Sequence, residues 1–171
     1  MLKRKTLMTG LVWAWLTLIL SACGGETGFH LRGSDPIAMQ SLKVAVEGEN
    51  NTEFGSLVRS VLQARGAVLS DATTAEILLT LQAPLESRRV SGYSATRAVS
   101  AFRYTTEASF SLKRQGTAQV LTDSVAQSQV QAYDSEYVLG TQEEADQIKS
   151  NLRREVARLL ALKVVAFQRN L

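Results

Sequence analysis

Ala101-Phe102-Arg103-Tyr104-Thr105-Thr106-Glu107-Ala108-Ser109-Phe110-Ser111-Leu112-Lys113 is the stretch whose reading decides the fold. Phe102, Tyr104, Thr106, Ala108, Phe110 and Leu112 fall on one side of an alternating pattern, and Arg103, Thr105, Glu107, Ser109, Ser111 and Lys113 on the other. A period of two is the mark of a β-strand. One apolar and one wet face are what an antiparallel sheet covered on a single side requires. Residues 114–117, with Gly116, are a turn. Residues 118–133, with Val120, Val125 and Val130 among many Gln and Ser, then return as a hairpin partner.

Toward the N-terminus, residues 41–47 alternate Leu42, Val44 and Val46 with polar or small residues, a strand with one apolar face. Asn51 or Thr52 can cap the next element. Phe54, Leu57, Val58, Val61 and Leu62 form a helical apolar stripe, and Gly66 stops it. Ile77-Leu78-Leu79 and Leu81 mark a buried strand over 75–83 that completes a β-α-β unit with the first. Pro84 marks an edge position or bulge, because it has no N–H for the ladder. The strand resumes over 85–90, and 91–100 is a polar loop.

Toward the C-terminus, Thr141-Gln142-Glu143-Glu144 has the form of a capping box. Ile148, Leu152, Val156, Leu159, Leu160, Val164 and Phe167 continue at helical spacing. A helix of ~25 residues would be ~38 Å long. The order is β-α-β-β-β-α. The expected fold is α+β, a two-layer sandwich in which a four-stranded mixed sheet carries two helices on one face. The other face, with Arg103, Ser109 and Lys113, is expected to be polar and exposed.

The chain begins differently. Lys3, Arg4 and Lys5 precede an apolar run that ends at Leu20-Ser21-Ala22-Cys23. A basic start, an apolar core and small residues before a cut site describe a signal peptide. The run is short of the ~20 residues a spanning helix needs. The Leu-Ser-Ala-Cys box looks like a bacterial lipobox, whose cysteine is acylated and becomes the new N-terminus. The expected organisation is a lipoprotein signal peptide over 1–22, an acylated Cys23 and tether over 23–36, and one domain over 37–171.

The net charge of +3 is carried by Lys3, Arg4 and Lys5 and leaves with the signal peptide. A neutral mature chain argues against a nucleic-acid partner, which calls for a basic excess. Charge is nonetheless segregated. Residues 85–114 hold Arg88, Arg89, Arg97, Arg103, Lys113 and Arg114 against only Glu86 and Glu107. Arginine forks bind phosphate well, so this basic set is either a solvated face or an anion site.

Other chemistry finds little support. Cys23 is the only cysteine and His30, in the tether, the only histidine. A zinc site or a thiolate nucleophile therefore lacks ligands. No Gly-x-Ser-x-Gly elbow meets His30, and no phosphate-binding loop or dinucleotide fingerprint is present. No cofactor and no metal are expected. The acids Glu143-Glu144 fit a helix N-terminus, and Asp134 and Glu136 a polar turn. Arg153-Arg154 is read as a solvated helix face.

Two features together resemble a known family. The lipobox is followed closely by Gly28-Phe29-His30-Leu31-Arg32-Gly33, and the element order is that given above. This is similar to the LptE (RlpB) family, lipoproteins of LPS assembly in Gram-negative outer membranes. In that family the lipobox cysteine stands just before a Gly-aromatic-His-Leu-Arg motif. Here Gly25-Glu26-Thr27 is inserted between the two. The resemblance implies no catalytic activity. It implies an outer-membrane protein, lipid-anchored on the periplasmic side, that plugs the LptD β-barrel, supports its assembly and binds lipopolysaccharide. Gly24 after the cysteine, rather than Asp, fits outer-membrane sorting. The lipopolysaccharide-binding candidates in the corresponding region are Arg88, Arg89, Arg97 and Arg103. A basic residue sometimes found before the last helix in the family is replaced by Leu139-Gly140-Thr141. The alternatives are an envelope-assembly scaffold without lipopolysaccharide contact and a lipid-anchored hydrolase relying on His30.

Overall fold

Thirteen consecutive residue pairs, from Ala101↔Ala132 to Lys113↔Val120, tie two long antiparallel strands into the hairpin that the alternation at 101–113 predicts. In the computed structural model, which describes residues 39, 41–49, 52–133 and 138–169, these are β5 (Val99–Arg114) and β6 (Val120–Ala132). Gly116, with φ of 78°, turns the chain between them. Tyr104, Thr106, Ala108, Phe110 and Leu112 are all buried, whereas Arg103 and Lys113 on the opposite face are exposed. The period-two pattern therefore reads directly as inside and outside.

The rest of the sheet is assembled on one edge of β5. Strand β1 (Lys43–Glu47) pairs in parallel with β3 (Ile77–Leu81) and with β2 (Val68–Leu69), and β3 runs antiparallel to β5. Strand β4 (Leu85–Tyr93) pairs antiparallel with the other half of β5. The mixed sheet thus has six strands rather than the four expected. The additions have simple causes. β2 is two residues long, too short to carry a period. β4 is a strand of its own because a bulge at Pro84 separates it from β3.

The loop expected over 91–100 is also shorter than the sequence suggested. Strands β4 and β5 run into it from both sides and leave only residues 94–98 as the hairpin tip. Ser94 N–H donates to the Ala98 carbonyl at 2.8 Å, and Arg97 N–H to the Ser94 carbonyl at 2.9 Å.

Helix α1 (Glu53–Ala64) lies between β1 and β2 in the chain. Thr52 caps it, its hydroxyl oxygen accepting from Gly55 N–H at 3.1 Å. At the other end Ala67 N–H donates to the Leu62 carbonyl and Gly66 N–H to that of Gln63. This is the Schellman arrangement, with Gly66 at φ 89° in the left-handed position where it avoids the Cβ clash. Its hydrophobic partners Leu62 and Ala67 are both buried.

Helix α2 (Val138–Arg169) has 32 residues, close to 48 Å at 1.5 Å per residue. It starts three residues before Thr141, so Thr141 is inside the helix and not its N-cap. The Thr141 and Glu144 groups serve another purpose. Gln131 on β6 is 1% exposed, and its Nε2 donates to the Thr141 carbonyl and to Glu144 Oε2, each at 2.8 Å. The presumed capping box pins the helix to the sheet instead.

Both helices lie on the same sheet face. Phe54, Val58 and Leu62 of α1, Val156, Leu160 and Val164 of α2, and Ile77, Leu79, Phe110 and Leu112 of the sheet share one buried cluster. Side chains of this kind contribute roughly 1.5–3 kcal/mol each when fully buried. A smaller cluster of Tyr104, Ala145, Ile148 and Leu152 extends beneath the first half of α2. Strand β4 lies outside both clusters, and it borders the site described next.

Candidate functional site

The site is created by a one-residue slip. Leu81 pairs with Phe110 and Leu85 with Glu107, so four steps along β3–β4 match three along β5. The extra residue lies at the segment holding Pro84. A one-residue shift exchanges the faces of every residue that follows. Before the bulge the odd residues Ile77, Leu79 and Leu81 face the helices. After it the even residues do: Glu86 opposite Thr106, Arg88 opposite Tyr104 and Val90 opposite Phe102.

The four arginines singled out from the sequence are therefore not brought together. Arg88 faces the helices. Its guanidinium carbon sits 4.4 Å from the centroid of the Phe102 ring, a cation–π contact. Phe102 in turn meets Tyr133 edge to face, with centroids 5.1 Å apart. Arg89 lies on the opposite face, directly across from Arg103. Arg97 is at the hairpin tip with φ of 64°. Cys23, His30, Asp134 and Glu136 lie outside the described residues.

Arg88 stands between two small cavities along the margin of α2. One of about 160 Å³ is lined by Phe102, Tyr104, Tyr133, Gln142 and Ala145 as well as Arg88. The other, about 260 Å³, is lined by Glu86, Arg88, Tyr104, Thr106 and Lys149 among others. The resulting groove has an aromatic floor, one cation at its centre and a second, Lys149, on the helix side. Lys149 Nζ is 2.9 Å from Asp146, whose carboxyl is held below its ordinary pKa chiefly by that hydrogen bond. Arg88 makes no ion pair among the described residues, and its guanidinium lies over the face of Phe102.

Next to the groove, Glu86 turns to Arg153 on α2. Arg153 Nε and Nη2 donate to the two Glu86 oxygens at 2.6 and 3.2 Å, and Nη1 reaches Glu53 on α1 at 3.5 Å. Arg153 holds its proton more tightly than an ordinary arginine, chiefly through the Glu86 hydrogen bond and against some desolvation. Arg153 is therefore a clamp between three elements and not the solvated residue its sequence context suggested. Arg154 beside it is exposed, with Asn151 as its partner. An acidic cleft of about 380 Å³ opens beside the clamp, with Glu49 and Glu53 at its wall.

Lys149 and the Arg153 clamp were missed by sequence reasoning. The only signal for them was helical spacing: Lys149 and Arg153 are four apart and share a helix face with Asp146.

With this geometry in place, comparison with known proteins gives a consistent result. The family model LptE, described as lipopolysaccharide-assembly, matches residues 39–164. The chain belongs to the LptE family. Three solved lipoproteins share the fold. Rare lipoprotein B from Shewanella oneidensis has a TM-score of 0.67 at 16% identity, over 75% of this chain and 97% of that one. Lipoprotein B from Nitrosomonas europaea has a TM-score of 0.66 at 17% identity, over 82% and 92%. A minor lipoprotein from Acinetobacter baumannii has a TM-score of 0.56 at 12% identity, over 74% and 94%. No curated protein matches the sequence. LptE membership makes this a lipoprotein of lipopolysaccharide assembly. Among the described residues, no helix is long and apolar enough to cross a membrane.

Proposed function

We propose that this chain is an outer-membrane lipoprotein that plugs and helps assemble the LptD β-barrel and binds lipopolysaccharide during its insertion into the outer leaflet. In this reading the signal peptide over 1–22 is removed, Cys23 carries the lipid on the periplasmic side, and 23–36 tethers the domain. The protein acts by binding and not by catalysis.

The observation that carries the reading is the groove at Arg88. A phosphorylated glycolipid presents anionic groups beside sugar and acyl surfaces. A guanidinium laid over Phe102, flanked by Tyr104, Tyr133 and Lys149, offers a charge and an apolar floor together. Arg97, at the hairpin tip beyond the same strands, extends the positive field. The plug role is supported by the opposite sheet face. It carries Ser109, Ser111, Thr122, Ser124 and Ser128, small polar residues suited to the polar lumen of a barrel.

The test is crosslinking in the outer membrane with identification of the partner, together with lipopolysaccharide binding by the Arg88→Glu and Arg97→Glu variants. Recovery of a large β-barrel, and binding that is salt-sensitive and weakened by Arg88→Glu, is the expected result. Normal barrel assembly after depletion of the chain would overturn the plug role. Unchanged lipopolysaccharide binding in both variants would leave only a scaffold.

A further inference from the structure

The outer sheet face holds a second feature that the groove does not use. Arg89 and Arg103 are directly opposite each other on adjacent antiparallel strands. Paired positions of this kind place Cβ atoms about 5 Å apart, and like charges there repel. Both residues are exposed, which lets water soften the repulsion but leaves it unfavourable. The surroundings do not neutralise it. The third member of the row, on β6, is Val130. The next row is Ser87, Thr105 and Ser128, three hydroxyls and no acid.

The nearest carboxylate on that face of β5 is Glu107. It is four residues from Arg103, or about 13 Å along the strand, and opposite Leu85. Arg103 Nη1 reaches the Ser128 hydroxyl at 3.4 Å. Arg89 has no side-chain partner among the described residues.

We infer that Arg89 and Arg103, with the hydroxyls of Ser87, Thr105 and Ser128, form an anion site for a phosphate monoester, on the face opposite Arg88. A doubly charged phosphate between two guanidiniums converts the repulsion into two charge-assisted forks, for which arginine geometry is suited. The hydroxyl row supplies further donors to the remaining oxygens. Because Arg88 and Arg89 are consecutive in a strand, they point to opposite faces. One phosphate cannot be held by both, so this site is separate from the groove at Arg88. That the phosphate belongs to a glycolipid rests on the function proposed above, whereas the site itself does not.

The test uses the full chain and compares sodium phosphate with sodium chloride at matched ionic strength. Phosphate should raise the melting temperature of the wild type and of Lys113→Gln, which removes an exposed cation elsewhere on the same face. The Arg89→Gln/Arg103→Gln variant should lose that increment, with phosphate affinity down at least tenfold. Arg89→Glu should also lose it while melting higher than wild type in chloride, since it places opposite charges across the strands. A variant that failed to fold would melt lower, so the two effects separate. Phosphate stabilising no more than chloride, or an effect removed by Lys113→Gln and kept by the double glutamine variant, would overturn the site.

A second arm compares vesicles containing a diphosphorylated glycolipid with vesicles of the dephosphorylated form. Weaker wild-type-like preference in the double glutamine variant supports a lipid source. An unaltered preference overturns the lipid source and leaves a free-phosphate site. Neither arm depends on the β-barrel partner.

Discussion

Arg153 grips Glu86 through two parallel hydrogen bonds, Nε to Oε1 at 2.6 Å and Nη2 to Oε2 at 3.2 Å, and in doing so ties the middle of α2 to strand β4. The strand needs the tie because every residue of β4 except Gly92 is exposed and none enters the buried clusters. Paired forks of this kind are stronger than ordinary surface ion pairs, but both partners are about 30% exposed, so water screens them.

Removing either partner is therefore expected to cost about 1 kcal/mol of unfolding free energy, and the double variant Glu86→Ala/Arg153→Ala little more than either single one. Urea unfolding of the three variants checks the coupling. Strictly additive losses would mean that the fork contributes nothing. Raising salt should shrink the coupling, as screening requires.

Arg97 occupies a left-handed backbone position, with φ of 64°, where a Cβ is unfavourable. Asn is better tolerated there than other side chains, and Gly is free of the clash. Arg97→Asn is expected to raise stability by about 0.5–1 kcal/mol, and Arg97→Val to lower it by about 1 kcal/mol or more. The urea midpoints of the two variants should move in opposite directions.

The fold was legible where burial imposes a period. Tyr104, Ala108, Phe110 and Leu112 alternate because one side of β5 is covered and the other is wet. Thr52, the stripe from Phe54 to Leu62, and Gly66 each sit where local chemistry alone sets the cap, face and stop of α1. Strand β4 was only half legible because neither of its faces is buried, so Ser87, Arg88, Arg89 and Val90 show no alternation. The placement of the arginines was illegible for a related reason. The side of the sheet that Arg88 faces is decided by one unpaired residue near Pro84, and composition carries no record of which way a bulge resets the pleat. Pro84 announced the bulge without its consequence. Likewise Thr141 and Glu144 read as a cap because the spacing is the same, whereas their use is decided by Gln131, ten or more residues away in the sequence.

Gln131 offers a sharp test of that arrangement. Its amide nitrogen satisfies two acceptors, and its Oε1 is buried with no partner among the described residues. Gln131→Glu replaces the donor by an acid facing the Thr141 carbonyl and the Glu144 carboxylate. Ionised, it is an unpaired buried charge expected to cost about 3–5 kcal/mol. Burial and Glu144 both favour the protonated form, so the variant's folded pKa is raised above its unfolded value. Its deficit relative to wild type should be small below the ordinary glutamate range and grow as pH rises through and above it. Urea unfolding of both proteins at pH 4 and pH 7 checks the sign. A deficit independent of pH would mean that shape, and not charge, governs the site.

The pair Asp123–Lys163 makes the opposite prediction. Lys163 Nζ on α2 is 2.7 Å from Asp123 Oδ2 on β6, and Ser124 N–H donates to the other oxygen at 2.8 Å. The Lys163 hydrogen bond first, and the Ser124 N–H second, hold the Asp123 carboxyl below its ordinary value of 3.8. The unfolded chain then takes up a proton at higher pH than the folded one. The stabilisation is complete above the ordinary aspartate range and is lost as pH falls through it toward the lower folded value. Asp123→Asn cannot titrate, so the stability difference between wild type and variant should be level at neutral pH and close progressively in acid. Lys163→Met should remove most of that pH dependence while leaving the Ser124 contribution, which separates the cross-element contact from the local one. A wild-type–variant difference that stayed level down to pH 2 would show that the contact does not form in solution.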